Sequence, residues 1–166
     1  MRVLISIPIV IILIILQTVI VRQLPLLQGS ADLVMLALVG WALQRRVQTA
    51  WHWAVIAGLL VSFVSTIPFY VNMAGYLLVV GMSLYIRQRI WQVSVVIMFI
   101  TSFLATLITQ LLVLTYLLVI DVPLPVIDAI NLIILPSLLL NMLLAAPFYI
   151  WMSDLANWLF PEPLEA

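Results

Sequence analysis

Apolar residues run along this chain in six long stretches, and the charged residues stand near the ends of these stretches. A helix needs about 20 apolar residues to cross a hydrocarbon core of about 30 Å, and a charge at the centre of that core costs at least about 2.5 kcal/mol. The pattern predicts an all-α integral membrane protein, a six-transmembrane-helix bundle in one domain over residues 1–166. The predicted spans are residues 3–21, 31–43, 50–67, 73–86, 93–120 and 129–151, followed by an interfacial C-terminal tail at residues 152–166.

The second and fourth predicted spans are shorter than a full crossing. At 1.5 Å per residue, 13 or 14 helical residues cover only about 20 Å. We expect these helices to start from partly buried connections or to lie where the bilayer is thin. Either arrangement predicts recesses in the surface of the bundle.

The arginines predict the orientation of the bundle. Six crossings with a cytoplasmic amino terminus place five of the six arginines on one side and Arg22 on the other, as the positive-inside rule favours. Both termini are therefore predicted to be cytoplasmic. The five arginines on the predicted cytoplasmic side are Arg2, Arg45, Arg46, Arg87 and Arg89.

Composition removes several classes of function. Hydrophobic residues make up 67% of the chain and charged residues 7%, and the net charge of zero provides no basic patch for nucleic acid. Cysteine is absent, and the single histidine, His52, has no second histidine with which to share a metal ion. The chain also lacks the common hydrolase, metalloprotease and phosphate-binding motifs. We expect a non-enzymatic protein with no catalytic residues, no cofactor and no metal site.

Polar residues inside the spans have both a structural and a functional interpretation. Ser30 is expected to cap the second span, with Asp32 in its first turn near the positive end of the helix dipole. In the fifth span, Ser102, Thr106 and Thr109 share one helical face, which predicts either a packing face between helices or a polar path for a substrate.

Proline and small residues mark two further spans. Ala54 and Gly58 form a small-residue pair that favours close helix packing in the third span. In the sixth span, Asn141 lies between Pro136 and Pro147, and each proline frees a carbonyl one turn earlier. This pattern predicts a kinked, hydrogen-bonded helix or a kink that shapes a groove for a partner.

Three segments resemble the MreD family of rod shape-determining proteins. Residues 29–43 are similar to the opening of that family's second span, residues 57–60 (Ala-Gly-Leu-Leu) to a signature in its third span, and residues 135–149 to its final span. The chain differs in having Ala31 where the family often has proline, and Ser62 where it often has aspartate. The matching segments contain the candidate partner-binding or structural residues Asp32, Trp41, Gly58, Pro136, Asn141 and Pro147.

The resemblance implies a subunit of the elongasome, the complex that supports lateral peptidoglycan synthesis and rod cell shape from the bacterial cytoplasmic (inner) membrane. It implies a shape like that of the six-helix substrate-capture subunits of energy-coupling-factor transporters. The implied partners are an MreC-like single-span protein, a RodA-type glycosyltransferase with its transpeptidase and, indirectly, the MreB filament.

Two functions remain open at this point. The first is a non-catalytic scaffold whose lipid-facing groove receives a partner helix and whose loops at residues 22–32 and 121–128 contact the partner's ectodomain. The second is a substrate-capture subunit that binds a small vitamin-type molecule. A capture site needs converging polar groups, for which Gln17, Asn72 and Asn141 are the candidates.

Overall fold

The computed structural model describes residues 4–19, 29–90, 94–122 and 125–160, and within these ranges the chain forms six helices. Three of them, α4 (Phe69–Arg89), α5 (Val95–Val119) and α6 (Val126–Leu159), are long and apolar enough to cross a membrane, which indicates a multi-pass membrane protein. The all-α prediction is thus confirmed for the described residues. The helices are α1 Ser6–Val19, α2 Leu33–Leu43, α3 Ala50–Ser62, α4 Phe69–Arg89, α5 Val95–Val119 and α6 Val126–Leu159.

Helix α2 is the centre of the bundle. All of its 11 residues are buried, and it packs against each of the other five helices. A helix surrounded by protein on every side has no polar face to present to solvent, which accounts for the uniformly apolar sequence of α2. Its 11 residues cover only about 17 Å, so the short second span is confirmed.

The prediction for the fourth span is wrong. Helix α4 has 21 residues and begins at Phe69, so it is a full-length helix. Pro68 is its N-cap residue, whereas α3 ends earlier, at Ser62 rather than at residue 67. Proline is compatible with the start of a helix because the N–H that it lacks would have no intrahelical partner there.

Helix α6 continues through most of the segment predicted as a tail, as far as Leu159, and residues 161–166 lie outside the described residues. Met152, Ala156 and Leu159 are buried in the same core as α2, so packing against the bundle extends this helix beyond the predicted end of the sixth span. Near its start, α6 contains a π-helical segment, Ile130–Ile134, followed closely by Pro136. The π geometry lets the N–H of Leu135 bond the carbonyl of Ile130 at the residue before the proline.

Four arginines lie at one end of the bundle, which we call the arginine end (Arg45, Arg46, Arg87 and Arg89). The Arg87 guanidinium donates to the carbonyls of Gln44 and Val47, at 2.8 and 2.9 Å, and thereby fixes the loop between α2 and α3. Arg45 donates to the carbonyl of Ile90, and Arg46 donates to that of Phe160 at 3.3 Å. We call the opposite end, where α4 and α6 begin, the distal end. Arg2 and Arg22 lie outside the described residues.

Two of the candidate residues pack the interior near the arginine end and along α3. Trp41 is buried and stacks on Trp53, with ring centroids 4.3 Å apart. Gly58 allows α4 to approach closely, since a Cβ there would lie 3.0 to 3.1 Å from atoms of Met73. Both residues therefore have a packing role in the fold.

Candidate functional site

Asp32 is half-buried inside the bundle, although its place in the sequence is near the end of an apolar run. Its backbone N–H donates to Asn141 Oδ1 at 2.8 Å, and Asn141 Nδ2 donates to the Thr106 hydroxyl at 3.0 Å. At 1.5 Å per residue, Thr106 is about 17 Å from the first residue of α5 and about 20 Å from its last. Asp32 therefore sits near mid-height of the bundle. Asp32 is the last residue of the loop that is predicted to contact a partner's ectodomain, and residues 20–28 of that loop lie outside the described residues.

The backbone that leads into α2, residues 29–32, is not helical and is held by side chains of other helices. The N–H of Ser30 donates to Ser137 Oγ at 3.0 Å, and the N–H of Leu33 donates to Gln17 Oε1 at 3.1 Å. Non-helical backbone at membrane depth requires such partners, because lipid has no groups to replace them. These bonds account for Gln17 in α1 and for Ser137 and Asn141 in α6.

The N-cap of α2 is Asp32, not Ser30 as the sequence predicted. The Asp32 carboxylate accepts the N–H of Met35 at 2.9 Å, which satisfies one of the free donors of the first turn. The hydroxyl of Tyr76 donates to the same carboxylate, at 3.2 and 3.4 Å from its two oxygens. One carboxylate thus joins the start of α2 to α4.

Gly29 and Pro136 form the closest contact between this segment and α6. A Cβ at Gly29 would lie 2.6 Å from Pro136 Cβ and 2.6 Å from the backbone nitrogen of Ser137. Only glycine fits this approach without a shift of backbone. Pro136 is buried at this contact, whereas Pro147 is on the exposed side of α6.

A recess of about 130 Å³ opens beside this network. It contains Gln17, Asn72 and Asn141, so the three polar candidates from separate spans do come together. Asn72 lies only about 5 Å along α4 from Phe69, the first residue of that helix. The recess therefore extends from the distal part of the bundle to Asp32 at mid-height.

One carboxylate and several neutral polar side chains line the recess. The groups that interact with Asp32 include Tyr76 and backbone N–H groups but no cation of the described residues. Gln110 lines the recess, and no hydrogen bond of its side chain is seen among the described residues. Asn72 uses its amide nitrogen on the carbonyl of Ile67, at 3.2 Å, which leaves its oxygen available. Tyr76 and Gln110 were not among the predicted site residues, because a single polar residue in an apolar helix gives no sign of where it points.

The polar face of α5 packs against other helices at one height and lines the recess at another. Ser102 and Thr106 are buried against the bundle, and the Thr106 hydroxyl donates to the Ser102 carbonyl at 2.8 Å. Thr109, about one turn nearer the distal end, lines the recess. Packing therefore accounts for the deeper part of the face, and the recess for the remainder.

A second, apolar cleft runs between α5 and α6 near the distal end. We call it the α5–α6 groove; its volume is about 90 Å³, and its apolar lining is Val113, Leu114, Leu117, Ala129, Ile133 and Ile134. Three of these residues lie on α5, and the other three lie on α6 at or beside its π turn. Within the described ranges, no group of three or more histidine or acidic residues is placed to hold a metal ion.

Comparison of the chain with protein-family models, with curated proteins and with solved structures gives no match. The resemblance to MreD proteins consequently rests on the residues and segments of this sequence alone.

Proposed function

We propose that this chain is a non-catalytic membrane scaffold that receives the transmembrane helix of a single-span partner in the α5–α6 groove. The observation that carries the proposal is the groove itself, a cleft that faces outward between two long helices and is lined almost wholly by aliphatic side chains. Close packing is the main source of affinity between helices in lipid, and a cleft lined by Ala129 and branched side chains supplies a surface for it.

The distal end of the groove carries negative charge. Asp121 follows α5 and Asp128 lies in the first turn of α6, and both are exposed. A partner helix flanked by basic residues on that side would add electrostatic attraction to the packing of its apolar face. With the resemblance to MreD proteins, this favours an MreC-like single-span protein as the partner, in a complex that supports cell-wall elongation and rod shape at the bacterial cytoplasmic membrane.

The polar recess has the converging polar residues that a vitamin-capture site needs, but it is too small for one. Pockets for such ligands have volumes of about 300–1,000 Å³. The recess offers about 130 Å³, and two of its amide side chains, Gln17 and Asn141, already hold the backbone that leads into α2. We therefore rank the scaffold above the substrate-capture subunit.

Filling the groove tests the scaffold. Ala129→Trp places an indole in a cleft of about 90 Å³, and we expect at least a ten-fold loss of a co-expressed MreC-like protein in detergent pull-downs. Val55→Trp is the matched control, because Val55 is 39% exposed on α3, which packs on α1, α2 and α4. Circular dichroism and size-exclusion chromatography confirm that both variants fold.

Disulfide crosslinking locates the partner directly, since the chain has no cysteine of its own. A single cysteine at Leu117 should crosslink to a cysteine in the partner's transmembrane helix, whereas one at Leu59 on α3 should not. Equal crosslinking at both positions, together with undiminished binding by Ala129→Trp, would refute the proposed groove.

A further inference from the structure

We infer that the polar recess binds a primary ammonium group, with the Asp32 carboxylate as its counter-ion. The recess adjoins the α5–α6 groove and shares Gln110 and Val113 with it, but the inference does not depend on the scaffold function. Its basis is the convergence of a deep carboxylate, neutral oxygen acceptors and open volume at one place in the bundle.

Capping does not explain why residue 32 carries a charge. Asparagine and serine cap helices about as well as aspartate does, because each offers a side-chain oxygen to the free N–H groups. A charged group at membrane depth is costly unless it is paired, so its presence indicates a function and a partner. The hydroxyl of Tyr76, at 3.2 Å or more from the carboxylate oxygens, supplies a hydrogen bond but no charge.

The other groups of the recess select for a donor-rich ligand. The amide oxygen of Asn72 and the side chain of Gln110 remain available, and the Thr109 hydroxyl adds a further acceptor. An ammonium group has three donors and no acceptor, which matches a carboxylate surrounded by neutral oxygens.

The size of the recess defines the ligand further. One water needs about 10–15 Å³ of such space, so about 130 Å³ holds on the order of ten non-hydrogen atoms. A bare metal ion would leave most of this space to water, whereas an aminoalkyl group fills it. The ammonium can belong to a small free amine or to the ethanolamine headgroup of a lipid, since both present the same chemistry.

Binding of ethanolamine to the purified full-length chain tests the inference. We expect ethanolamine hydrochloride to raise the thermal unfolding midpoint saturably in detergent, relative to the same concentration of sodium chloride. Ethylene glycol, which replaces the ammonium by a hydroxyl, should give no rise. An equal rise with sodium chloride or ethylene glycol would overturn the inference.

Variants separate the charge from the fold. Asp32→Asn keeps a capping oxygen and should bind ethanolamine at least ten-fold more weakly, while Asp121→Asn, which neutralises an exposed carboxylate, should bind it like the wild type. Gly75→Val adds methyl groups beside the recess, where a Cβ would lie in ordinary contact with Thr109 Cγ2 at 3.6 Å, and should also abolish binding without any change of charge. Wild-type affinity in both Asp32→Asn and Gly75→Val would refute the site.

Arg22 provides a further check, because it is the arginine closest to Asp32 in sequence and lies outside the described residues. Arg22→Gln should leave ethanolamine affinity unchanged. A several-fold gain in affinity would mean that the chain's own guanidinium competes for Asp32, and the inference would fail.

Nanodiscs distinguish the two sources of the ammonium group. If a headgroup is the ligand, native mass spectrometry should show one phosphatidylethanolamine retained by the wild type and lost in Asp32→Asn, with no phosphatidylcholine retained in parallel discs. If a free amine is the ligand, only dissolved ethanolamine will bind. If the wild type retains no phosphatidylethanolamine and also binds no dissolved ethanolamine, the inference is overturned. The crosslinking result at the α5–α6 groove would be unaffected.

Discussion

Replacing Asn141 by leucine tests whether side-chain hydrogen bonds hold the start of α2 at mid-height. The amide of Asn141 accepts from the backbone of Asp32 at 2.8 Å and donates to Thr106 at 3.0 Å, and its side chain is 1% exposed. Leucine has a similar volume, so the change removes both bonds and creates little cavity.

The expected cost follows from the groups left behind. Polar interactions between helices in membranes are worth about 0.6 kcal/mol on average and at most about 1.7 kcal/mol each. The backbone N–H of Asp32 would lose its partner in a buried place, which costs about 1–3 kcal/mol, whereas Thr106 keeps its bond to the Ser102 carbonyl. We therefore expect Asn141→Leu to lower the free energy of unfolding by about 2–3 kcal/mol.

Unfolding by sodium dodecyl sulfate in mixed micelles, followed by tryptophan fluorescence, measures this change. The stacked pair of Trp41 and Trp53 reports on the fold from the arginine end, because Trp41 lies about 14 Å along α2 from Asp32. Asn131→Leu is the matched control, since Asn131 is exposed on the same helix, and it should change stability by less than about 0.5 kcal/mol.

A double-mutant cycle with Thr106→Val isolates the bond between the two side chains, with an expected coupling of about 0.5–1 kcal/mol. If Asn141→Leu costs less than about 0.5 kcal/mol, or no more than Asn131→Leu, the polar network does not position α2, and the explanation given for these residues is incorrect.

The same unfolding assay checks two other contacts. Gly29→Ala should cost about 1–3 kcal/mol because its Cβ would meet α6 at 2.6 Å, whereas Gly75→Ala, with 3.6 Å of clearance, should be neutral or stabilise α4 by up to about 1 kcal/mol. Arg87→Gln should cost about 1–3 kcal/mol because two carbonyls of the loop between α2 and α3 lose a charged donor, whereas Arg89→Gln, at an exposed position, should change stability by less than about 0.5 kcal/mol. Equal losses within either pair would contradict the contact concerned.

Hydropathy alone predicts the number of helices and the approximate bounds of α1, α2 and α5, since an apolar run in lipid has few alternatives to a helix. It fails between α3 and α4. Residues 63–67 are as apolar as the helix before them, so the pattern contains no signal for an end at Ser62. Proline ends one helix or begins the next with equal ease, and here Pro68 begins α4.

The end of α6 shows a related limit. The sequence predicts an interfacial tail at residues 152–166, but Asp154 and Asn157 are exposed positions on a helix whose other face, including Met152 and Ala156, is buried. The helix extends because the bundle continues to cover that face. The end of the helix is decided by packing against residues that are distant in the sequence, and the local hydropathy pattern contains no information about those contacts.

The depth of Asp32 is the property that sequence position concealed. A residue at the end of an apolar run lies at the membrane surface only when that run is long enough to cross the whole membrane. Helix α2 is about 17 Å long, which is about half of the hydrocarbon thickness. Sequence reasoning identified Gln17, Asn72 and Asn141 as polar, but only the three-dimensional arrangement shows that they meet around the start of this half-length helix.

The short central helix is the common cause of the polar network and the recess. Helix α4 is about 32 Å long and α5 about 38 Å, so the column of space that α2 leaves empty between them must be occupied by something else. Residues 29–32 and the side chains that bond them fill the part of that column next to α2, and the recess is the part that remains open toward the distal end. The Asp32 side chain therefore has two separate roles: its capping hydrogen bond completes the first turn of α2, and its charge faces the open volume of the recess. Asparagine at this position should accordingly preserve the bundle and remove only its affinity for a cation.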